Sequence, residues 1–463
     1  MNPEVMGTGP QDISSLLGAK PRSDASRMDR LRGELSNPLF RNAYALMLNG
    51  GLTGVLGLGF WIAAKHFHSQ DDFGRSAAEI QAIMGIGGVT ILNYMLLRFI
   101  PQAGPATKRL VIATYAVGAV AALLLGVVFL VSLTWWSSPN FDALTEPGTA
   151  ALFLVFIIAW NIFTQQDGVF TGLRRAGWVP AKNTVYGILK LVLLAVLAWT
   201  IDPSTGIVLA TMIPVLLVVV PMDVKIFRRL VPEHVALTRN RHRTPTPREV
   251  GRYLAGDYVG TVFSHSTINF IPLLVAAKVS PETNGYFAMA WVFGLMLDLL
   301  ALNMAMSMTV EGSFDTARLA ETTRAALRRT VMLLVPISVV VAFAGPWVLS
   351  WGILFGGGFS EQAGPVLMLL AFATLPKAII ELYIGVLRVR SRTRLVAMVQ
   401  GLRFAGVLAG VLVFVNDHRL IAVGWSVVIV QGVVALAILP PLLRATRSGP
   451  RVPSQGGPVE GMS

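Results

Sequence analysis

A chain of 463 residues that is 54% hydrophobic and only 14% charged is too apolar for a soluble globule of this length. Its 38 Lys and Arg against 25 Asp and Glu give a net charge of +13, and it has no cysteine, which excludes disulfides, thiol catalysis and Cys-ligated metal. The positive charge lies in short segments beside apolar runs, so it points to anionic membrane lipid rather than nucleic acid, at about 1 kcal/mol per basic residue near the surface.

In chain order, residues 1–40 are polar and rich in Pro, Ser and mixed charge. They read as a disordered tail, with no cleavable signal peptide. A run of about 18–25 apolar residues can cross a bilayer. Six such runs are expected near 43–65, 78–98, 110–134, 149–166, 183–201 and 206–224. A basic connection over 230–249, with Arg239, Arg241, Arg243, Pro245 and Pro247, divides them from six more. These lie near 252–277, 284–309, 330–354, 364–387, 395–415 and 420–443, before a second breaker-rich tail over 447–463.

Charge sorting orients the set. Thirty Lys and Arg fall in the tails and on one side of the spans, and only Lys65, Arg75, Lys278 and Arg419 on the other. Basic residues are retained on the cytoplasmic face. The expectation is therefore an all-α, multi-pass protein of the inner (plasma) membrane, with both termini cytoplasmic.

A short repeat supports two halves. Ala63-Ala64-Lys65 is followed by a polar stretch, Gly74 and an Ala-rich helix start. Ala276-Ala277-Lys278 is followed by Ser280, Glu282, Gly285 and another Ala-rich start. Each half holds an even number of spans, so the predicted architecture is a parallel repeat of two six-helix lobes, 41–229 and 250–446. Pro214, Pro272, Pro336 and Pro376 fall inside spans, where each removes a backbone donor and kinks its helix.

An ionised side chain at the bilayer centre costs at least about 2.5–3.5 kcal/mol and needs a partner or a wet cavity. The embedded candidates are Lys190, Asp257, Asp298, Lys377, Glu381 and Arg403, with Arg98 and Arg252 at span ends. Most map to the cytoplasmic half of the bilayer, which predicts a polar vestibule open to the cytoplasm. The cations Arg98, Lys190, Arg252, Lys377 and Arg403 are the candidate ligands for an anionic substrate; Asp257, Asp298 and Glu381 are candidates for ion coupling. Plainer roles compete with these. Lys377 and Glu381 stand i,i+4 and would form a local ion pair. Arg98 fits snorkelling to lipid phosphate, Asp257 could pair with Arg252 or Arg403, and His265 reads as a hydrogen-bonded packing residue. Gly57-Leu58-Gly59 sits within an apolar run and is no phosphate loop. The six scattered histidines show no metal-ligand grouping, so no cofactor, metal or enzymatic centre is expected.

Three stretches carry a resemblance. Arg41-Asn42-Ala43-Tyr44 through Phe60-Trp61-Ile62-Ala63-Ala64, Phe73 to Ala78 and Leu97-Arg98-Phe99-Ile100-Pro101 form the first; Asp167 to Pro180 and Leu387 to Arg392 are the others. They resemble bacterial polysaccharide flippases of the multidrug/oligosaccharidyl-lipid/polysaccharide (MOP) exporter superfamily. The resemblance implies two six-helix lobes around a central cavity, rocking between inward-open and outward-open states. The implied cargo is a polyprenyl-diphosphate-linked oligosaccharide, moved to the outer leaflet for cell-surface polysaccharide synthesis. Anionic lipids, and a glycan polymerase or glycosyltransferases, are the implied partners. Embedded cations suit a diphosphate. Two other readings stay open: a drug or small-metabolite antiporter of the same superfamily, and a non-transporting scaffold for cell-wall enzymes.

Overall fold

The computed structural model describes residues 38–88, 92–197, 202–238, 258–314, 319–355 and 358–447, and every element among them is helical. The long helices are α1 (Pro38–Phe67), α2 (Gln70–Gly88), α3 (Thr107–Ser132), α4 (Pro147–Gly172), α5 (Trp178–Leu197) and α6 (Pro203–Lys225) in the first half. In the second half they are α7 (Val259–Lys278), α8 (Pro281–Phe314), α9 (Leu319–Leu349), α10 (Phe359–Val389), α11 (Thr393–Phe414) and α12 (Ile421–Arg447). The tails expected over 1–40 and 447–463 lie almost wholly outside the described residues, as does most of the linker expected over 230–249. The first part of that linker is helical. A π-turn over Ile226–Leu230 carries α6 on into Val231–Leu237.

Ten helical stretches are long and apolar enough to cross a membrane, one of them joining Asn93–Ala103 to α3. α2 is not in that set, because it opens on Asp71 and Asp72 and carries Arg75 and Glu79. Outward faces are apolar: Val117, Val120, Leu124 and Val128 on α3, and Met332, Val340, Phe343 and Trp347 on α9, are exposed. Apolar surface of that extent needs lipid beside it. α10 is the most enclosed, with 67% of its apolar window buried against 17% for α9.

Local chemistry sets the helix ends. Ser69 caps α2 by accepting from the Asp72 amide at 3.2 Å, and Ser280 caps α8 by accepting from Thr283 at 3.4 Å, as hydroxyl caps do. Asp202 caps α6 through the Thr205 amide at 3.2 Å, with Pro203 at the first helical position. Interior prolines lie within helices without ending them. Pro272 frees the carbonyl of Ile268, and the Trp291 indole of α8 donates to it at 3.2 Å, so a neighbouring helix satisfies the freed group.

The same turn recurs after α4 and after α10. Arg174 (φ 58°) and Ser391 (φ 55°) both adopt the left-handed conformation. The next residue then donates back five positions, Arg175 to Phe170 and Arg392 to Leu387, each at 2.8 Å. This pattern satisfies the last helical carbonyls. It lies in the two stretches, 167–180 and 387–392, that stood out in the sequence.

Candidate functional site

A cavity of about 340 Å³ lies between the halves. α2 and α4 supply Gly88, Trp160, Thr164 and Gln165 to its wall, and α7, α10 and α11 supply His265, Glu381, Arg388 and Gln400, among others. α2 and α7 approach closely there: a Cβ on Gly88 would meet His265 Nε2 at 2.7 Å. These positions fall near the C-terminal ends of α2, α4 and α10 and the N-terminal ends of α7 and α11, so the cavity sits toward the basic end of the bundle. His265 was expected to serve packing. It faces the cavity and hydrogen-bonds with Asn269 one turn along at 3.2 Å.

Among the described residues, hydrogen bonds join the halves at the opposite end. Gln70 Nε2 donates to Glu282 O at 3.3 Å and Asn284 Nδ2 to Gly74 O at 2.8 Å. Ser138 and Asn140 donate to Ala276 O at 2.9 Å each. Gly74 presses against the Pro281 carbonyl and has no room for a Cβ, and Gly285 lies against the carbonyl and side-chain end of Gln70. At the basic end, ties run within each half: Arg175 and Arg229 to Glu233, His234 to Ile100 O, Arg324 to Thr446 O.

The second-half charges form two ion pairs between helices. Lys377 on α10 donates to Asp298 Oδ2 on α8. Arg403 on α11 donates from Nη1 to Glu381 Oε1 on α10 at 2.9 Å and to Gln400 Oε1 at 2.7 Å. This corrects the expected Lys377–Glu381 pair: each residue finds its counter-charge on another helix. Glu381 and Gln400 line the cavity, and Arg403, 3% exposed, stands behind them. Lys377 and Asp298 instead border a small cleft within the second half, beside Trp291 and Gln431.

Other candidates scatter. Arg98 is exposed at the basic end, its guanidinium 5.8 Å from the Phe99 ring. Lys190 is buried in the first half, with its ammonium 4.4 Å from the Phe60 ring and 5.4 Å from Tyr186, and is not among the cavity-lining residues. Arg252 and Asp257 lie outside the described residues.

One buried polar network was absent from the sequence reading. Lys182 Nζ sits 2.7 Å from Asp167 Oδ1, with its side chain wholly buried, and donates to Phe163 O at 2.6 Å. Beside it, Gln166 and Tyr115 donate to Asp223 Oδ1 at 2.9 and 3.3 Å. Residues 167–182 had been read as a connection. α4 runs to Gly172 and α5 starts at Trp178, so the true connection is 173–177 and its flanking charges are drawn into the bundle. Gln165-Gln166-Asp167 inside an otherwise apolar helix was the available signal.

Neither a family model nor a curated protein sequence matches the chain. Among solved structures, a MATE-family multidrug resistance transporter of the MOP superfamily in an inward-facing conformation is similar, with a TM-score of 0.60. Identity is 14%, over 88% of this chain and 98% of that one. The fold is that of the MATE transporters. An outward-facing MATE structure aligns at TM-score 0.54 and 17% identity, covering 92% of this chain and 99% of its own. A MOP-superfamily transporter from Pyrococcus furiosus Vc1 (DSM3638), described as having reversed binding-pocket polarity that suggests a different function, aligns at 0.56 and 15% identity, over 92% and 99%. Within the MATE fold, the hydrogen bonds of the described residues run across the halves at one end and within each half at the other.

Proposed function

We propose that the chain is a membrane transporter that carries an anionic lipid-linked glycan, a polyprenyl-diphosphate oligosaccharide, from the inner to the outer leaflet by alternating access. On this reading the halves 41–229 and 250–446 are the moving lobes and the basic end is cytoplasmic, in the inner (plasma) membrane. The cavity is the inward-facing binding chamber, and anionic lipids surround its mouth. The observation that carries it is the charge of the second-half wall. Arg388 at the cavity and Arg403 directly behind its wall outnumber the single carboxylate there, Glu381. Guanidinium groups match phosphate oxygens in geometry and charge. The neutral first-half wall, with Trp160, Thr164 and Gln165, suits sugar rings and hydroxyls. The joined far end fits a carrier that loads from the basic side, as does likeness to an inward-facing transporter.

Export of organic cations is the second reading, favoured by the Glu381 carboxylate on the cavity wall and by the multidrug descriptions of similar structures. A leaflet-translocation assay in proteoliposomes separates the two. Movement of a fluorescent polyprenyl-diphosphate glycan, lost in Arg403→Ala, is the expected result. Transport of an organic cation with no glycolipid movement would overturn it.

A further inference from the structure

Arg403 is built into an arrangement that its static ion pair leaves incomplete. Its guanidinium is 3% exposed, yet Nε makes no hydrogen bond. Glu381 and Gln400, the residues it donates to, are the ones that stand between it and the cavity. A buried guanidinium with an unused donor is under-satisfied, and a phosphate, with several acceptor oxygens, fills more of that fork than one carboxylate oxygen does. Glu381 thus occupies the place an incoming anion would take. A second partner awaits it. Lys377 stands one turn away on α10, where i,i+4 side chains meet, and it is an electrostatic neighbour of Glu381 together with Arg403 and Arg388. That ammonium is held by Asp298 on α8.

We propose that Glu381 is a placeholder anion and that α10 carries a partner exchange. A diphosphate entering the cavity takes Arg403, Glu381 swings to Lys377, and Asp298 loses its ammonium. No bond is made or broken covalently; the pairs are re-sorted, and occupancy of the cavity is transmitted to α8 through a residue that does not line it. The inference rests on the anionic-cargo reading above. Glu381 and Lys377 act as positioning residues, and Arg403 is the group that meets the anion.

The test is equilibrium binding of inorganic pyrophosphate, and of a short-chain prenyl diphosphate, to the full chain in nanodiscs. Glu381→Gln removes the competitor and should tighten binding about tenfold, the scale of one charge-assisted hydrogen bond. Asp298→Asn releases Lys377 and should also tighten binding, and Lys377→Met should weaken it, although neither residue lines the cavity. In Asp298→Asn combined with Lys377→Met the gain should vanish. Binding that is lost in Arg403→Ala but unchanged in Glu381→Gln, Asp298→Asn and Lys377→Met would overturn the exchange and leave the cargo reading standing. No diphosphate binding by the folded wild-type chain would overturn both. The two remote substitutions keep the test open if Glu381→Gln fails to fold.

Discussion

Counted from the left-handed residue of the shared turn, Arg174 or Ser391, the helices that flank the cavity in the two halves can be laid over one another. Ten residues before it stand Thr164 and Glu381; fourteen before, Trp160 and Lys377; twelve after, Tyr186 and Arg403. One backbone plan therefore carries a hydroxyl, an indole and a phenol in the first half, and an interlocked set of charges in the second. Charges inside a bilayer are costly unless paired, and confining them to one wall lets each keep a partner. The first half has charges too, but Lys182, Asp167 and Asp223 are kept off the cavity lining. On the proposed function, the difference becomes a division of labour, with one wall for the charged head and the other for neutral, ring-shaped matter.

The largest expected break in this comparison is Arg403→Ala. It strands the Glu381 carboxylate, 6% exposed, and removing one partner of a buried pair costs about 3–5 kcal/mol. Thermal unfolding in detergent should show that loss. The matching Tyr186→Phe should fall within about 0.5 kcal/mol of wild type, since the Tyr186 hydroxyl makes no hydrogen bond. Equal losses at both positions would erase the distinction. Next is Lys182→Met. Asp167 is 32% exposed and open to hydration, so the cost should be about 1–3 kcal/mol, with pyrophosphate affinity unchanged. A change in affinity would bring the first-half network into the binding chamber.

Gly74→Val addresses the far end. The added side chain collides with the Pro281 backbone, so cross-linking between cysteines placed at positions 70 and 282 should become markedly slower. The chain has no cysteine of its own, so the background is clean. Cross-linking at the wild-type rate would remove this contact from the closure. The smallest effect is at Asp202, outside the spans. The Ser204 hydroxyl and then the Thr205 amide hold its carboxyl below the usual carboxylate range. A depressed folded pKa means stability present above the unfolded value and lost as pH falls through the folded one. Asp202→Ala should cost about 1 kcal/mol near neutrality, and thermal midpoints of wild type and variant should converge in acid. A difference that does not vary with pH would show that the cap works without its charge.

The long apolar helices were legible because lipid demands continuous apolar runs, a stronger constraint than any soluble fold imposes. The all-helical fold, shared with the MATE transporters, was legible too. Pairing was not. Lys377 and Glu381 looked like one local pair because sequence shows only the neighbours on the same helix; Asp298 and Arg403 reach them from α8 and α11. The orientation of His265 and the burial of Lys182 were not legible, for related reasons. The first needed the close approach of Gly88 to reveal which way it faces, and the second was assigned to a loop that folding made shorter.

The reciprocal seating of Gly74 and Gly285 has a mechanical consequence. Where Gly74 lies against the Pro281 backbone, no side chain interlocks, so at that point two helices can slide apart as smooth rails do, without first unthreading knobs from sockets. Among the described residues, two side-chain amide donors, from Gln70 and Asn284, tether α2 to α8 there. A seam of this kind seals firmly when shut and yet asks little of whatever force unfastens it.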